Sequence, residues 1–358
     1  MDKKGQDGIA RRSFMGAAML GIGGAAGWAV SKLRKTPGDP VKQVSTVPRT
    51  PPGKAYDIDK YRYVDPKLLT YEPDGEFQTG LKRVKDIACA PDGRILVVGD
   101  KEVRSFDASG QQVGSMGMSQ NPHCVHISEA NELFVGLARH FQVHADGGEL
   151  LERTEQFSDR SFITGLTTIG DRVYVADAGN KEVLICDRKG SVEKSFGGVP
   201  AGQVNRPNDE GGDQGFAVPS PYFAVRSNAQ GDLWVTNPGH LRVESYSQEG
   251  EYQSSWGNNG MKIEDFTGCC NPVHLALLPG GGFVTSEKGL FRIKTYNLAG
   301  EMQGVVAGAK HLVPDERVAK EARSMNKGMG FALAVNDEGR IFVLDPFRKS
   351  VRAFRPLA

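Results

Sequence analysis

Between Gly231 and Gly257 the chain reads GDLWVTNPGHLRVESYSQEGEYQSSWG. Three short apolar runs stand in it, at 233–236, 241–246 and 252–256. Each alternates apolar with polar or small residues, the period of a half-buried strand. Turn formers divide them: Asn237-Pro238-Gly239, then Gln248-Glu249-Gly250. Upstream, 222–226 (YFAVR) supplies another strand. The expectation is four antiparallel strands joined by tight turns, one small twisted sheet.

The pattern recurs. Related stretches begin at Gly93, Asp171 and Gly281, with weaker copies from Asn131 and Gly339. Each has a run ending in Asp, Asn, Gly or Ser, a loop, an aromatic-containing strand and a Gly turn, often followed by Phe-Gly or Trp-Gly. Gly110, Gly148, Gly190, Gly250 and Gly300 fall at the same point of successive units. Self-similarity at this period means a propeller or solenoid, not one mixed core. The units resemble the NHL repeat, and the resemblance covers residues 61–358. It implies an all-β, six-bladed NHL-like propeller. It says little of function, because propellers host unrelated activities.

The two ends look complementary. Residues 61–80 read as the back of a blade, with 68–72 matching a third strand, Pro73-Asp74-Gly75 a turn and 76–79 a fourth strand. The C-terminal runs 331–335, 341–344 and 351–354 read as the front. Pairing the N- and C-terminal segments closes the ring and leaves no open sheet edge. Both ends offer a third strand, and the pattern does not choose between them.

Residues 1–35 read as a targeting segment. Arg11-Arg12-Ser13-Phe14-Met15 resembles the twin-arginine export motif, and the Gly- and Ala-rich apolar run 14–30 ends on Lys32, Arg34 and Lys35. Gly27-Trp28-Ala29 is a poor small-x-small cleavage site, so an uncleaved membrane tether stays open beside a cleaved signal. Residues 36–60 form a Pro-rich linker. The implied location is exported, periplasmic or anchored on the outer side of a bacterial inner membrane.

Charge adds an exclusion. The 44 basic and 43 acidic residues leave +1, so no global field calls for nucleic acid or an anionic lipid surface. Five cysteines are too few for a disulfide scaffold and cannot all pair.

Three insertions at one kind of junction, 199–221, 258–272 and 307–330, should raise a rim on one face of blades 4 to 6; within the last, 314–325 has a helical pattern. Aligned inner strands put Asp86, Cys124, His126, Arg226 and His274 near the channel, with His123 at a strand start. Such residues either satisfy channel polar groups or build a site. One expected site is ligand-binding: Arg226, Cys269, Cys270, Asn271 and His274 at the channel mouth. Another is a metal set, His123, His126 and His274, holding an ion such as Zn, Cu or Ca. The peptidyl-hydroxyglycine amidating lyase, a six-bladed NHL-type enzyme with a histidine-bound zinc, resembles this chain at Asn121-Pro122-His123. The equivalent entry Pro221-Tyr222-Phe223 lacks the histidine.

Gly268-Cys269-Cys270-Asn271-Pro272 resembles a junction in exported bacterial NHL proteins. Its cysteines could form a vicinal disulfide, bind a metal as thiolates, or sit reduced and buried. The loop 205–213 carries oxygen donors for a hard cation but lacks EF-hand spacing. No P-loop or Gly-x-Ser-x-Gly occurs. Three functional expectations follow: a binding or scaffolding propeller for a protein or small-molecule ligand on the insertion-bearing face, a metal-dependent lyase or hydrolase, or a redox-associated envelope protein.

Overall fold

The computed structural model describes residues 59–197, 215–228, 230–313 and 330–357. The chain divides between Ala55 and Tyr56, and all the described residues belong to the second part. The export-like segment 1–35, nearly all of the linker 36–60, the acidic loop 205–213 and the helical stretch 314–325 lie outside the described residues. Among the described residues no helix is long and apolar enough to cross a membrane.

Six four-stranded antiparallel sheets follow one another along the chain, as a six-bladed propeller requires. Blade 1 runs through Val84–Cys89, Ile95–Gly99, Glu102–Phe106 and Gln112–Gly117. Blades 2 to 5 repeat this with inner strands Cys124–Ile127, Ile163–Ile169, Val225–Ser227 and His274–Leu277. Blade 6 takes Ala332–Val335, Ile341–Asp345 and Ser350–Pro356 from the C-terminal end, and its outermost strand, Tyr71–Gln78, from the N-terminal end.

Closure by the two termini is therefore as expected, but its detail differs. The C-terminal segment supplies the third strand, and 68–72 does not. Pro73-Asp74-Gly75 is not a turn. The strand runs straight through it, pairing Pro73 with Phe354 and Glu76 with Arg352, with Asp74 and Gly75 left as a bulge. A proline on the outer edge removes no ladder bond that a central strand would need. Asp74 of the bulge pairs with Arg340 at 2.6 Å, which anchors the bulge to blade 6.

The strand faces also differ from the half-buried reading. Leu233–Asn237 and Ile95–Gly99 are buried at every position. The cause is the stacking of blades. The apolar interior falls into six clusters, each made by two neighbouring blades. Val173 and Val175 face blade 2, while Tyr174 and Ala176 on the same strand face blade 4. The outermost strands of blades 3 and 4 are exposed except at their last residue: Val192–Phe196 buries Phe196 alone, and Tyr252–Trp256 buries Trp256 alone.

Those terminal aromatics explain the recurrent glycines. Gly110, Gly190, Gly250 and Gly300 all have φ between 77° and 86° and close turns onto the carbonyl three residues earlier. A Cβ on Gly250 would collide with Phe196, and one on Gly300 with Trp256. At blades 4 and 5 the previous blade's last aromatic thus packs on the next blade's glycine turn, and the two motifs are halves of one interblade contact; at Gly190 the neighbour is Thr154 instead.

A second periodic residue fixes how each blade is entered. Asp177, Asn237 and Glu287 end the second strands of blades 3, 4 and 5. Each accepts a backbone N–H from the segment leading into its own blade, from Phe162, Ala217 and Thr267 respectively. The runs ending in Asp or Asn in the sequence are these anchors.

Candidate functional site

The inner strand of every blade is an edge, and its channel-facing N–H groups have no strand partner. Side chains at the first inner-strand position supply partners. Asp86 Oδ2 accepts from Val125 N–H of blade 2 at 3.0 Å, and its Oδ1 accepts from Ile87 N–H at 2.9 Å. His274 Nδ1 accepts from Leu333 N–H of blade 6 at 3.2 Å. That leaves the proton on Nε2, which donates to Asp86 Oδ1 at 3.0 Å. Asp86 is buried, at 3% side-chain exposure, and His274 largely so, at 13%.

Arg226 sits two residues along its inner strand, one layer deeper. Its Nη1 donates to Val225 O at 2.8 Å, and its Nη2 stands 3.3 Å from His274 Nε2. Burial and the guanidinium both hold His274 below the ordinary imidazole range, against the opposing pull of Asp86. A neutral imidazole whose two nitrogens are both engaged is a structural bridge, not a free base or metal ligand. Asp86, His274 and Arg226 thus form a polar septum across the channel.

Above the septum is a cup of about 170 Å³. Asp86 and His274 line its floor, Phe162, Tyr222 and Val273 its wall, and Lys85 and His123 its lip. The His123 ring packs edge-on against Phe162 at 4.7 Å. Burial first, and the Lys85 cation second, push its pKa down to about 4. Below the septum a second cavity of about 260 Å³ is lined by His126, Thr167 and Arg226. His126 Nε2 lies 3.0 Å from Thr168 Oγ1, and burial together with Arg226 lowers its pKa to about 3.

The three histidines expected as a metal set are therefore not gathered: His274 belongs to the septum, His123 lines the cup above it and His126 the cavity below. Among the described residues no three His, Cys, Asp or Glu side chains converge on a point that could hold a metal. Cys124 also departs from the channel position expected of it. It packs in the cluster between blades 2 and 3, close beside Gly136.

The described ends of the first and third insertions do meet at the cup. Tyr222, just after the end of the first, accepts from Gly330 N–H, ending the third, at 2.9 Å. The second is held from beneath by blade 5: Arg292 donates to Lys262 O and Ile263 O, and Lys294 to Ile263 O and Asp265 O. Lys294 is fully buried and ion-paired with Glu287 at 2.6 Å. Burial depresses its pKa, and the Glu287 carboxylate opposes that shift.

At the end of this second insertion Cys269 Sγ lies 3.5 Å from Cys270 Sγ. Asn271 locks the loop: Nδ2 donates to Thr267 O and Lys288 O, and Oδ1 accepts from Lys288 N–H at 3.0 Å. Its amide is spent on backbone. Lys288, Lys85 and Phe162 carry no pattern that singled them out in the sequence, and Tyr222 stood out only as the strand entry that lacks a histidine. Lys288 follows the blade-entry anchor Glu287, which is the one positional signal for it.

No protein-family model matches the chain, and no curated protein sequence does. Solved structures do resemble it. A streptogramin B lyase aligns with a TM-score of 0.52 at 11% identity, covering 80% of this chain and 98% of that one. A virginiamycin B lyase from Staphylococcus aureus gives 0.50 at 10%, over 80% and 100%. A protein of unknown function from Bacteroides thetaiotaomicron gives 0.51 at 10%, over 79% and 73%. At these identities the likeness shows the propeller fold alone.

Proposed function

We propose that this chain is a ligand-binding propeller of the bacterial cell envelope, of NHL type, that seats a small organic anion in the cup at its channel mouth. One observation carries the reading. The cup has an aromatic wall and a cationic lip at Lys85, while the ionisable groups of its floor are already paired with one another. A carboxylate would meet the Lys85 ammonium, and a flat apolar body would lie between Phe162 and Tyr222. Concave, largely apolar sites with a few placed polar groups are the usual form of a small-molecule site. The committed state of His274 favours binding over general-base chemistry.

Titration calorimetry with benzoate as probe tests this. The expected result is saturable binding that is lost in Lys85→Glu and weakened in Phe162→Ala. Absence of saturation with benzoate and with aliphatic carboxylates, or binding indifferent to both substitutions, would overturn it. On the same reading Arg11-Arg12 directs export. Replacing both by Lys should leave the precursor in the cytoplasm, and normal envelope delivery of that variant would argue for another route.

A further inference from the structure

The cysteine pair stands apart from the cup's polar floor and has its own chemistry. Cys269 is exposed and Cys270 is buried beside it. Beside Cys270 stand Lys288 and Ser220, and both favour its ionised form. Lys288 Nζ donates to Ser220 Oγ at 3.0 Å and lies 5.2 Å from the centre of the Tyr222 ring. The Asn271 clamp fixes the Lys288 backbone, and Ser220 and the Tyr222 ring hold its ammonium. Burial works against ionisation of Cys270, but Lys288 and Ser220 outweigh it and bring the thiol below its ordinary range. The hydrogen bond to Cys270, and then burial, raise Cys269. Cys269 is thus the exposed thiol of the pair, and Cys270 the one whose ionisation its neighbours favour.

We propose that Cys269 and Cys270 form a thiol–disulfide exchange site for small, solvent-borne disulfides of the glutathione class. In the first step the Cys269 sulfur attacks one sulfur of the small disulfide while its proton passes to the Cys270 thiolate. The S–S bond of the small disulfide breaks, and one thiolate leaves and takes a proton from solvent. In the second step Cys270, ionised beside Lys288, attacks Cys269 Sγ. The mixed disulfide breaks, and the second small thiolate leaves with the proton Cys270 gave up. Two protein thiols are oxidised to a disulfide and one small disulfide is reduced to two thiols.

The sulfur separation of 3.5 Å already lies at the edge of a near-attack contact, about 3–3.5 Å. Neighbouring Cα atoms are about 3.8 Å apart, shorter than the roughly 4.4–6.8 Å of ordinary disulfides. The bond formed is therefore strained and readily reduced, the property of a cycling disulfide as opposed to a structural one.

The test treats the reduced full chain with oxidised glutathione, quenches with acid at intervals, and maps the products by mass spectrometry. The wild type should show a short-lived adduct on Cys269 that resolves to a Cys269–Cys270 disulfide. Cys270→Ser should retain the adduct, with Cys270→Ala used if the serine variant fails to melt as the wild type does. Lys288→Met should slow resolution by about tenfold or more, because it lowers the thiolate fraction. An adduct as persistent in the wild type as in the Cys270 variant would overturn the proposal. So would the lack of both adduct and disulfide, or a stoichiometric zinc ion retained by the pair that blocks the reaction. Benzoate binding at the cup is measured separately, so either proposal can fail alone.

Discussion

His274 of blade 5 and Asp86 of blade 1 are 188 positions apart in the chain, and their side chains meet at 3.0 Å across the channel. Each also satisfies an inner-edge amide of the next blade, at Leu333 and Val125. The pair therefore stitches four blades with two side chains. His274→Ala should destabilise the domain by about 2–4 kcal/mol, since it strands Leu333 N–H and removes a donor from Asp86, each worth roughly 1–3 kcal/mol. Asp86→Ala should cost more, because two backbone amides lose their acceptor with it. Denaturant melts of the singles and the double variant check this. Unchanged stability in His274→Ala would refute the stitching role.

Acid should weaken the fold before the carboxylates titrate. His123 and His126 have folded pKa values near 4 and 3, against about 6.5 in the unfolded chain. Both are depressed, so their contribution is complete above pH 6.5. It declines as the pH falls below that, because the unfolded state takes up protons first. Between pH 6.5 and 4.5 the loss should be on the order of 2–5 kcal/mol. A stability profile flat over that window, or NMR titration of either ring near pH 6.5, would contradict it.

Two glycines of the same backbone class separate conformation from contact. Gly93 has φ 86° and open space where a Cβ would stand, while Gly300 has φ 79° and the Trp256 ring there. Gly93→Ala should cost about 1–2 kcal/mol, the left-handed penalty alone. Gly300→Ala should cost a further 1–3 kcal/mol or so for overpacking. Equal melting shifts would mean that the glycine turn does not seat the neighbouring aromatic.

Deleting residues 351–358 removes the third strand of blade 6 and with it the partner of Tyr71–Gln78. The ring would open and expose strand edges, so the truncated chain should unfold cooperatively at lower temperature and aggregate. Calorimetry and light scattering on the deletion variant read both effects, and an unaltered melt with no aggregation would dismiss closure as a source of stability.

Much of this architecture was legible because its grammar is local. The glycine at Gly300 and the Trp-Gly at Trp256 each follow from backbone needs that recur in every unit, so copies could be aligned without knowing what they touch. The channel positions of Asp86, Arg226 and His274 followed from the same alignment. What stayed hidden depends on curvature. That Asp86 reaches His274 past an intervening blade is fixed by the radius of the ring, which no local pattern encodes. The histidines looked like a metal set because register counts along a strand, and the septum separates them by depth in the channel. Asn271 was expected at the mouth, but its amide closes a loop. Lys288 escaped notice because a lone lysine after a strand usually means solvent.

The closing strand has a consequence for how the ring bears force. Tyr71 pairs with Pro356, so the chain enters and leaves the seam at the same end. Tension drawn between the two termini would not shear that ladder, where many hydrogen bonds resist together. It would peel the ladder from Tyr71 inward, one rung after another. Tension applied at the N-terminal side would first break the Leu69–Val305 bridge to blade 5 and then open this seam, so blade 6 would act as the mechanical fuse of the molecule while the other five blades stay folded.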